Sequence, residues 1–160
     1  MKNKKIIALV LSFIMLFMQM VSVHAEESET TEWYDLVEEE VEMTDGSGES
    51  ITPYSLYLMN VITSIAKVNS SKVSMRAEVH CAAVMNKITI TFYLQKLSGT
   101  TWKDVGSTTV YATNTSSTAK SVTASNLSSG TYRTKATVIV TASSGYSEAA
   151  NGYSGSINLP

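Results

Sequence analysis

The sequence predicts an all-β fold, an antiparallel two-layer sandwich of about seven strands. Three observations predict it. First, two stretches alternate apolar and polar residues with period two. "KVSMRAEVHC" sets Val73, Met75, Ala77, Val79 and Cys81 on one side and Ser74, Arg76, Glu78 and His80 on the other. "KITITFYLQ" sets Ile88, Ile90, Phe92 and Leu94 inward and Lys87, Thr89, Thr91, Tyr93 and Gln95 outward. Such alternation marks a half-buried antiparallel strand. Second, turn-forming residues punctuate the chain at short intervals: Asn69-Ser70-Ser71, Asn86, Ser98-Gly99, residues 114–117, residues 126–130 and Ser144-Gly145. Third, "NLSSGTYRTKATVIV" opens a further alternating run with a tyrosine placed directly after a glycine-containing corner. A barrel is the other closure open to such strands.

The elements follow in order. Residues 1–25 read as a secretory signal peptide: Lys2, Lys4 and Lys5, an apolar run over residues 6–23, and Val23-His24-Ala25 as the cleavage site. An uncleaved anchor is the alternative, because the run approaches the ~20 residues that span a bilayer. The acidic, soluble segment directly after Ala25 favours cleavage. The expectation is a secreted, extracellular chain of about 135 residues, one-domain size, with nothing holding it to a membrane.

Residues 26–52 form an acidic leader and linker. Every charged residue from Glu26 to Glu49 is an acid, whereas beyond Glu49 only Glu78, Asp104 and Glu148 are, against Lys67, Lys72, Arg76, Lys87, Lys96, Lys103, Lys120, Arg133 and Lys135. The formal net charge of −2 hides this asymmetry. Within "TEWYDLVEEEVEM", Trp33, Leu36, Val37 and Val41 fall on one face at helical spacing. Clustered carboxylates and a length of about three turns make such a helix marginal, so the leader is expected to be largely disordered, with a docking helix as the alternative. Its opposite charge predicts that it lies over Lys87, Arg133 and Lys135 at low salt.

The β-sandwich domain is expected over 53–160, with strands at "LMNVITSIAKV", the two alternating stretches above, "DVGSTTVYA", "AKSVTA", "TYRTKATVIV" and "GYSEAANGYSGSINL". Cys81 is the only cysteine, so no internal disulfide exists and the core holds by packing.

Tyr132 identifies the architecture more closely. In immunoglobulin-like sandwiches a tyrosine near the start of the sixth strand bonds through its hydroxyl to the corner before it. Here Leu127 and Gly130 precede Tyr132, and Thr134 stands where disulfide-bearing relatives have a cysteine. The chain therefore resembles the disulfide-free, fibronectin-III-like branch of Greek-key sandwiches. Two stretches, "ITFYLQKLSGTTWKDVGS" and "LSSGTYRTKATVIVTASSGYSE", also resemble a group of small secreted proteins of unknown function from Gram-positive, clostridia-like bacteria. The likeness runs over most of residues 55–159. It implies a secreted immunoglobulin-like domain and offers no catalytic residues.

The chemistry of enzymes is thinly represented. His80 is the only histidine after residue 25 and adjoins Cys81, but neighbours in a strand point to opposite faces, so Cys81 is expected to be a buried structural thiol. Glu78 and His80 share a face, yet two ligands fall short of a zinc site. The carboxylates after residue 50 show no pairing for glycosidase chemistry, and no phosphate-cradling loop occurs. No catalytic residue, metal or cofactor is expected, and nothing marks nucleic-acid recognition. Trp102 is expected to cap one sheet edge as a satellite core residue. One surface stands out: Lys87, Thr89, Thr91, Tyr93, Gln95, Arg133, Lys135 and Thr137 share an outward face if their strands are neighbours, with Tyr146 and Tyr153 able to join. A flat basic-aromatic face suits an anionic cell-wall polymer, a glycan or another extracellular protein. The expected role is a non-enzymatic extracellular binding or structural module; the alternatives are a secreted enzyme or inhibitor using the loop around Trp102, or a subunit of a surface assembly.

Overall fold

The computed structural model describes residues 32–39, 47–51 and 55–160; residues 1–25, expected from sequence to be a signal peptide, lie outside them. Among the described residues seven strands follow one another: β1 (Leu36–Glu38), β2 (Ser47–Ile51), β3 (Leu58–Asn69), β4 (Lys72–Ser98), β5 (Thr101–Ala124), β6 (Gly130–Thr141) and β7 (Ser147–Leu159). All pairings are antiparallel. The fold is all-β, as the alternating stretches predict.

The two layers share a single folded hairpin. β4 and β5 are joined by the two-residue turn Gly99-Thr100 and stay paired from Ser98↔Thr101 to Val73↔Ala124. The pairing slips between His80↔Ser117 and Met85↔Thr115, leaving residues 81–84 opposite a single residue of β5. Asn114, beside this crease, has φ 53°, a left-handed conformation asparagine tolerates. On one side of the crease, β4 pairs with β3, which pairs with β2; on the other, it pairs with β6, which pairs with β7. Residues 125–129 carry the chain from the end of β5 in the first layer to β6 in the second, a Greek-key crossing.

The expected breaks at Asn86 and at residues 114–117 are therefore corrected: they mark the crease of one long hairpin rather than chain reversals. The extra residues on β4 also explain a phase change. Inward residues are odd-numbered from Val73 to Cys81 and even-numbered from Ile88 to Leu94, and all of these are buried. With Tyr132, Ala136, Val138, Val140, Val61 and Ile65 they form a single apolar cluster between the layers. Burying the valine, isoleucine, leucine, methionine and phenylalanine side chains among them contributes about 1.5–3 kcal/mol each relative to exposure.

The corner before β6 is built around Tyr132, which is fully buried and donates its hydroxyl hydrogen to the Ser128 carbonyl at 2.9 Å. Leu127 is buried and its N–H donates to the Ser71 carbonyl at 2.9 Å, tying the corner to the β3–β4 turn. Gly130 has φ 149°, and a Cβ there would lie 2.8 Å from Lys96 Cε. At Thr134, where a bridging cysteine is absent, the backbone N–H donates to Ser154 Oγ at 2.9 Å.

The compact unit runs from Glu32 to Pro160, so part of the segment assigned to the leader belongs to the sheet. Residues 32–39 are extended, and neither the expected helix nor a free spacer describes them. The Tyr34 N–H donates to the Val105 carbonyl at 2.6 Å in the second layer, and Leu36 then pairs with Ala124 in the first. This segment straps the two layers along the open edge of β5. Strand alternation sends Leu36 into the core and leaves Val37 61% exposed, whereas a helix would set both on one face. Gly106 makes room: a Cβ there would sit 2.4 Å from Leu36 Cδ1 and 2.5 Å from the Tyr34 carbonyl oxygen.

Candidate functional site

The outer face of the second layer gathers the residues singled out by sequence. Across β4, β5, β6 and β7 the register stacks outward residues into rows. Tyr93 pairs with Lys135, which pairs with Tyr153. Gln95 lies between Asp104 and Arg133. Thr91 lies between Thr109 and Thr137. Lys87 lies between Thr113 and Thr141, and Thr89 opposite Tyr111. The seven expected face residues, Lys87, Thr89, Thr91, Tyr93, Gln95, Arg133 and Lys135, thus share one surface.

Its polar residues are held in place by one another. Asp104 Oδ1 accepts from Gln95 Nε2 at 2.6 Å, and Gln95 Oε1 in turn accepts from Arg133 Nε at 2.7 Å. Gln95 is buried, so its amide has one orientation and the relay fixes the guanidinium. Aromatic rings flank that guanidinium: its Cζ lies 4.4 Å from the Trp102 ring centroid and 4.9 Å from that of Tyr153. Lys135 Nζ lies 4.9 Å from the Tyr93 centroid and Lys87 Nζ 5.0 Å from that of Tyr111. Cation–π contacts of this kind contribute about 0.5–1 kcal/mol at exposed sites. The hydroxyls form cross-strand pairs: Thr91 with Thr109 at 3.0 Å, and Thr137 donating to Asn151 at 2.7 Å.

Arg133 is accordingly pre-ordered. Its Nε is committed to Gln95, which leaves the Nη groups as the fork for a ligand. A guanidinium with its motion already restricted loses less entropy on meeting a carboxylate, sulfate or phosphate. The threonine rows add donors and acceptors suited to sugar hydroxyls.

Trp102 lies at the second position of β5, half-buried, as one wall of the arginine stack. Tyr153 joins the face, but Tyr146 does not: it stands in the β6–β7 turn with its ring 6.1 Å from that of Tyr57. Tyr111 and Asp104 were missed by sequence reasoning; counting back from the Gly99-Thr100 turn would have set both beside the face. Cys81 is buried, and burial pushes its thiol pKa up, with the negative charge of Glu148 adding to it. His80 is exposed. Among the described residues, no group of three His, Cys, Asp or Glu side chains could hold a metal ion.

Three acids of the leader, Glu32, Glu38 and Glu39, find partners away from this face. Glu38 pairs with Lys120 and Glu39 with Lys72, each at 2.7 Å. Glu32 accepts from the Tyr34 hydroxyl and from Ser128 Oγ, the latter at 3.0 Å. The expected contact with Lys87, Arg133 and Lys135 is corrected for Glu32, Glu38 and Glu39; residues 26–31 and 40–46 lie outside the described residues.

A second constellation was not foreseen. The Glu148 carboxylate accepts from the N–H groups of Leu56, Tyr57 and Leu58 at 2.9–3.0 Å and from the Ser55 hydroxyl. Burial raises its pKa, but these donors outweigh it and hold the carboxyl below the ordinary 4.5. The clasp fastens the start of β3 to β7.

The fold and face define a disulfide-free, seven-stranded antiparallel β-sandwich with an ordered cationic-aromatic surface. Compared with family models and with curated proteins, the chain matches none.

Proposed function

We propose that the protein is a secreted, non-enzymatic binding module whose second-layer face recognises an anionic extracellular polymer, such as a cell-wall polymer or acidic glycan. The observation that supports this most is the Arg133 guanidinium held between Trp102 and Tyr153 and fixed through Gln95. An arginine needed only for solubility has no use for two rings and a buried amide. Lys135 stands one outward row further along the sheet and Lys87 four rows along in the same direction, each over a tyrosine, and the threonine rows between those two lysines suit hydroxylated repeats. Secretion is supported by the Lys-rich start, the apolar run and Val23-His24-Ala25.

Retention of the full chain on immobilised teichoic-acid-type polymer and on a neutral glucan tests the reading. Retention on the anionic polymer alone, weakened several-fold in Arg133→Ala and falling as salt rises, is the expected result. Equal retention of Arg133→Ala and wild type would remove this site from consideration.

A further inference from the structure

The strap leaves part of β5 bare. β5 pairs along one side with β4 throughout, and on its other side with β1 only at residues 122–124. The Tyr34 bond to Val105 and the Leu36 contact at Gly106 close the near end. Among the described residues, no strand pairs with the far side of residues 107–113. This window reads Ser-Thr-Thr-Val-Tyr-Ala-Thr, all favourable or tolerated in strands, and the longer run 105–119 contains no charged residue. Soluble sheets usually protect such edges with lysine, proline or a bulge, because unpaired N–H and C=O groups invite another strand. Here the nearest charged residues in sequence are Asp104 and Lys120.

We infer that this window pairs with the same window of a second copy, antiparallel about a two-fold axis at Val110. Three features favour a second copy over a foreign strand. An antiparallel strand is complementary to itself, so one edge supplies both sides. The strap blocks continuation past Gly106 and the crease at Asn114 breaks the strand at the other end, so the partner must offer a short segment, and the window of another copy has the same length by definition. The side chains of the window carry no charge of their own and so set no like charges directly across the axis; Lys87, whose Nζ lies 5.0 Å from the Tyr111 centroid, belongs to β4, one strand in. In this register Thr109 stands opposite Tyr111 of the other copy and Tyr111 opposite its Thr109, an aromatic–β-branched pair made twice. Tyr111 is 62% exposed in the single chain, and pairing covers it. The two outer faces then join into one continuous surface carrying two sets of Lys87, Arg133 and Lys135. A single strand–strand contact falls short of the ~1,200 Å² typical of a stable interface, so the dimer is weak and reversible. The inference does not depend on what the face binds.

Light scattering on the full chain, purified in the form its host accumulates, decides it over a micromolar-to-submillimolar series. The expected result is a mass rising from monomer toward dimer with concentration. Hydrogen exchange at the amides of residues 107–113 should slow in parallel. Thr109→Lys/Tyr111→Lys, which sets like charges across the axis on side chains outside the core, should stay folded and monomeric with no slowing, its unfolding midpoint lowered only modestly by loss of the Thr91–Thr109 hydrogen bond and the Lys87–Tyr111 contact. A monomer at every concentration overturns the inference. So does a dimer that the double variant still forms, since its interface then lies elsewhere.

Discussion

The Tyr132 hydroxyl and the Ser128 carbonyl, four residues apart, are joined by a 2.9 Å hydrogen bond inside the sandwich. The bond closes the corner that carries the chain between layers, while the ring fills the core below it. Lys96 reinforces the same spot, its Nζ donating to Ser128 Oγ at 2.6 Å and lying 5.6 Å from the Tyr132 ring centroid. Removing only the hydroxyl isolates the bond. Tyr132→Phe is expected to lower stability by about 1 kcal/mol, the net value of one buried hydrogen bond. Urea unfolding followed by tryptophan fluorescence measures it; an unchanged midpoint would show that the hydroxyl contributes nothing.

Glu148 offers a stability effect that depends on pH. Its carboxylate accepts three consecutive backbone N–H groups, and its pKa in the folded chain lies below the ordinary 4.5. A carboxyl with a depressed folded pKa stabilises the fold at pH values above its unfolded pKa, and that contribution fades as pH falls through the folded value. Glu148→Gln keeps the shape but weakens the acceptor. It should cost about 1–2 kcal/mol at neutral pH and show less stability loss on acidification below 4.5 than wild type. Parallel acid-limb profiles for the two proteins would exclude Glu148 as a source of the pH dependence.

Gly106 is the seat of the strap. A methyl group there meets both Leu36 Cδ1 and the Tyr34 carbonyl oxygen at under 3 Å, and a backbone oxygen has little room to give. Gly106→Ala is expected to cost about 1–3 kcal/mol through overpacking and to release residues 32–39 before the rest unfolds. Hydrogen exchange at the Tyr34 amide, bonded to Val105 in wild type, reports the release directly. A protected Tyr34 amide in the variant would mean the strap accommodates the methyl group.

Some of this was legible in the sequence and some was not, for physical reasons. The period-two runs at residues 73–81 and 88–94 revealed their buried faces because each strand faces core on one side only. The switch from odd to even inward positions was equally visible, and it is the trace of the crease at residues 81–84. It was obscured because asparagine and serine mark a bulge and a reversal alike. The outward face could be assembled because Lys87, Tyr93, Arg133 and Lys135 lie on strands with clear phase. The strap was illegible. Its strand is three residues long, below the length at which a period declares itself; the apolar spacing offered a docking helix instead, and the carboxylates favoured disorder. Their counterions, Lys72 and Lys120, lie far away in sequence and became apparent only with the pairing of β1 and β5. The Glu148 clasp was hidden for the same reason, since its donors are backbone groups that carry no residue-type signature.

Arg133→Lys separates shape from charge at the proposed binding face. Lysine keeps the positive charge, but it is a compact, strongly hydrated ammonium without the planar fork. It cannot reproduce the stack between Trp102 and Tyr153, which lie 4.4 and 4.9 Å from Cζ, nor donate through a fixed Nε to Gln95. If the pre-ordered fork provides recognition, Arg133→Lys should bind the anionic polymer nearly as weakly as Arg133→Ala, with the salt dependence of the remaining binding set by Lys87 and Lys135. The fold should tolerate the change, because the arginine lies on the outer face and the Asp104–Gln95 bond survives it. Titration of the wild type and both variants against the same polymer at two salt concentrations gives the comparison. Wild-type affinity in Arg133→Lys would reduce the face to a field of positive charge, with the aromatic walls serving only to pack the arginine stem.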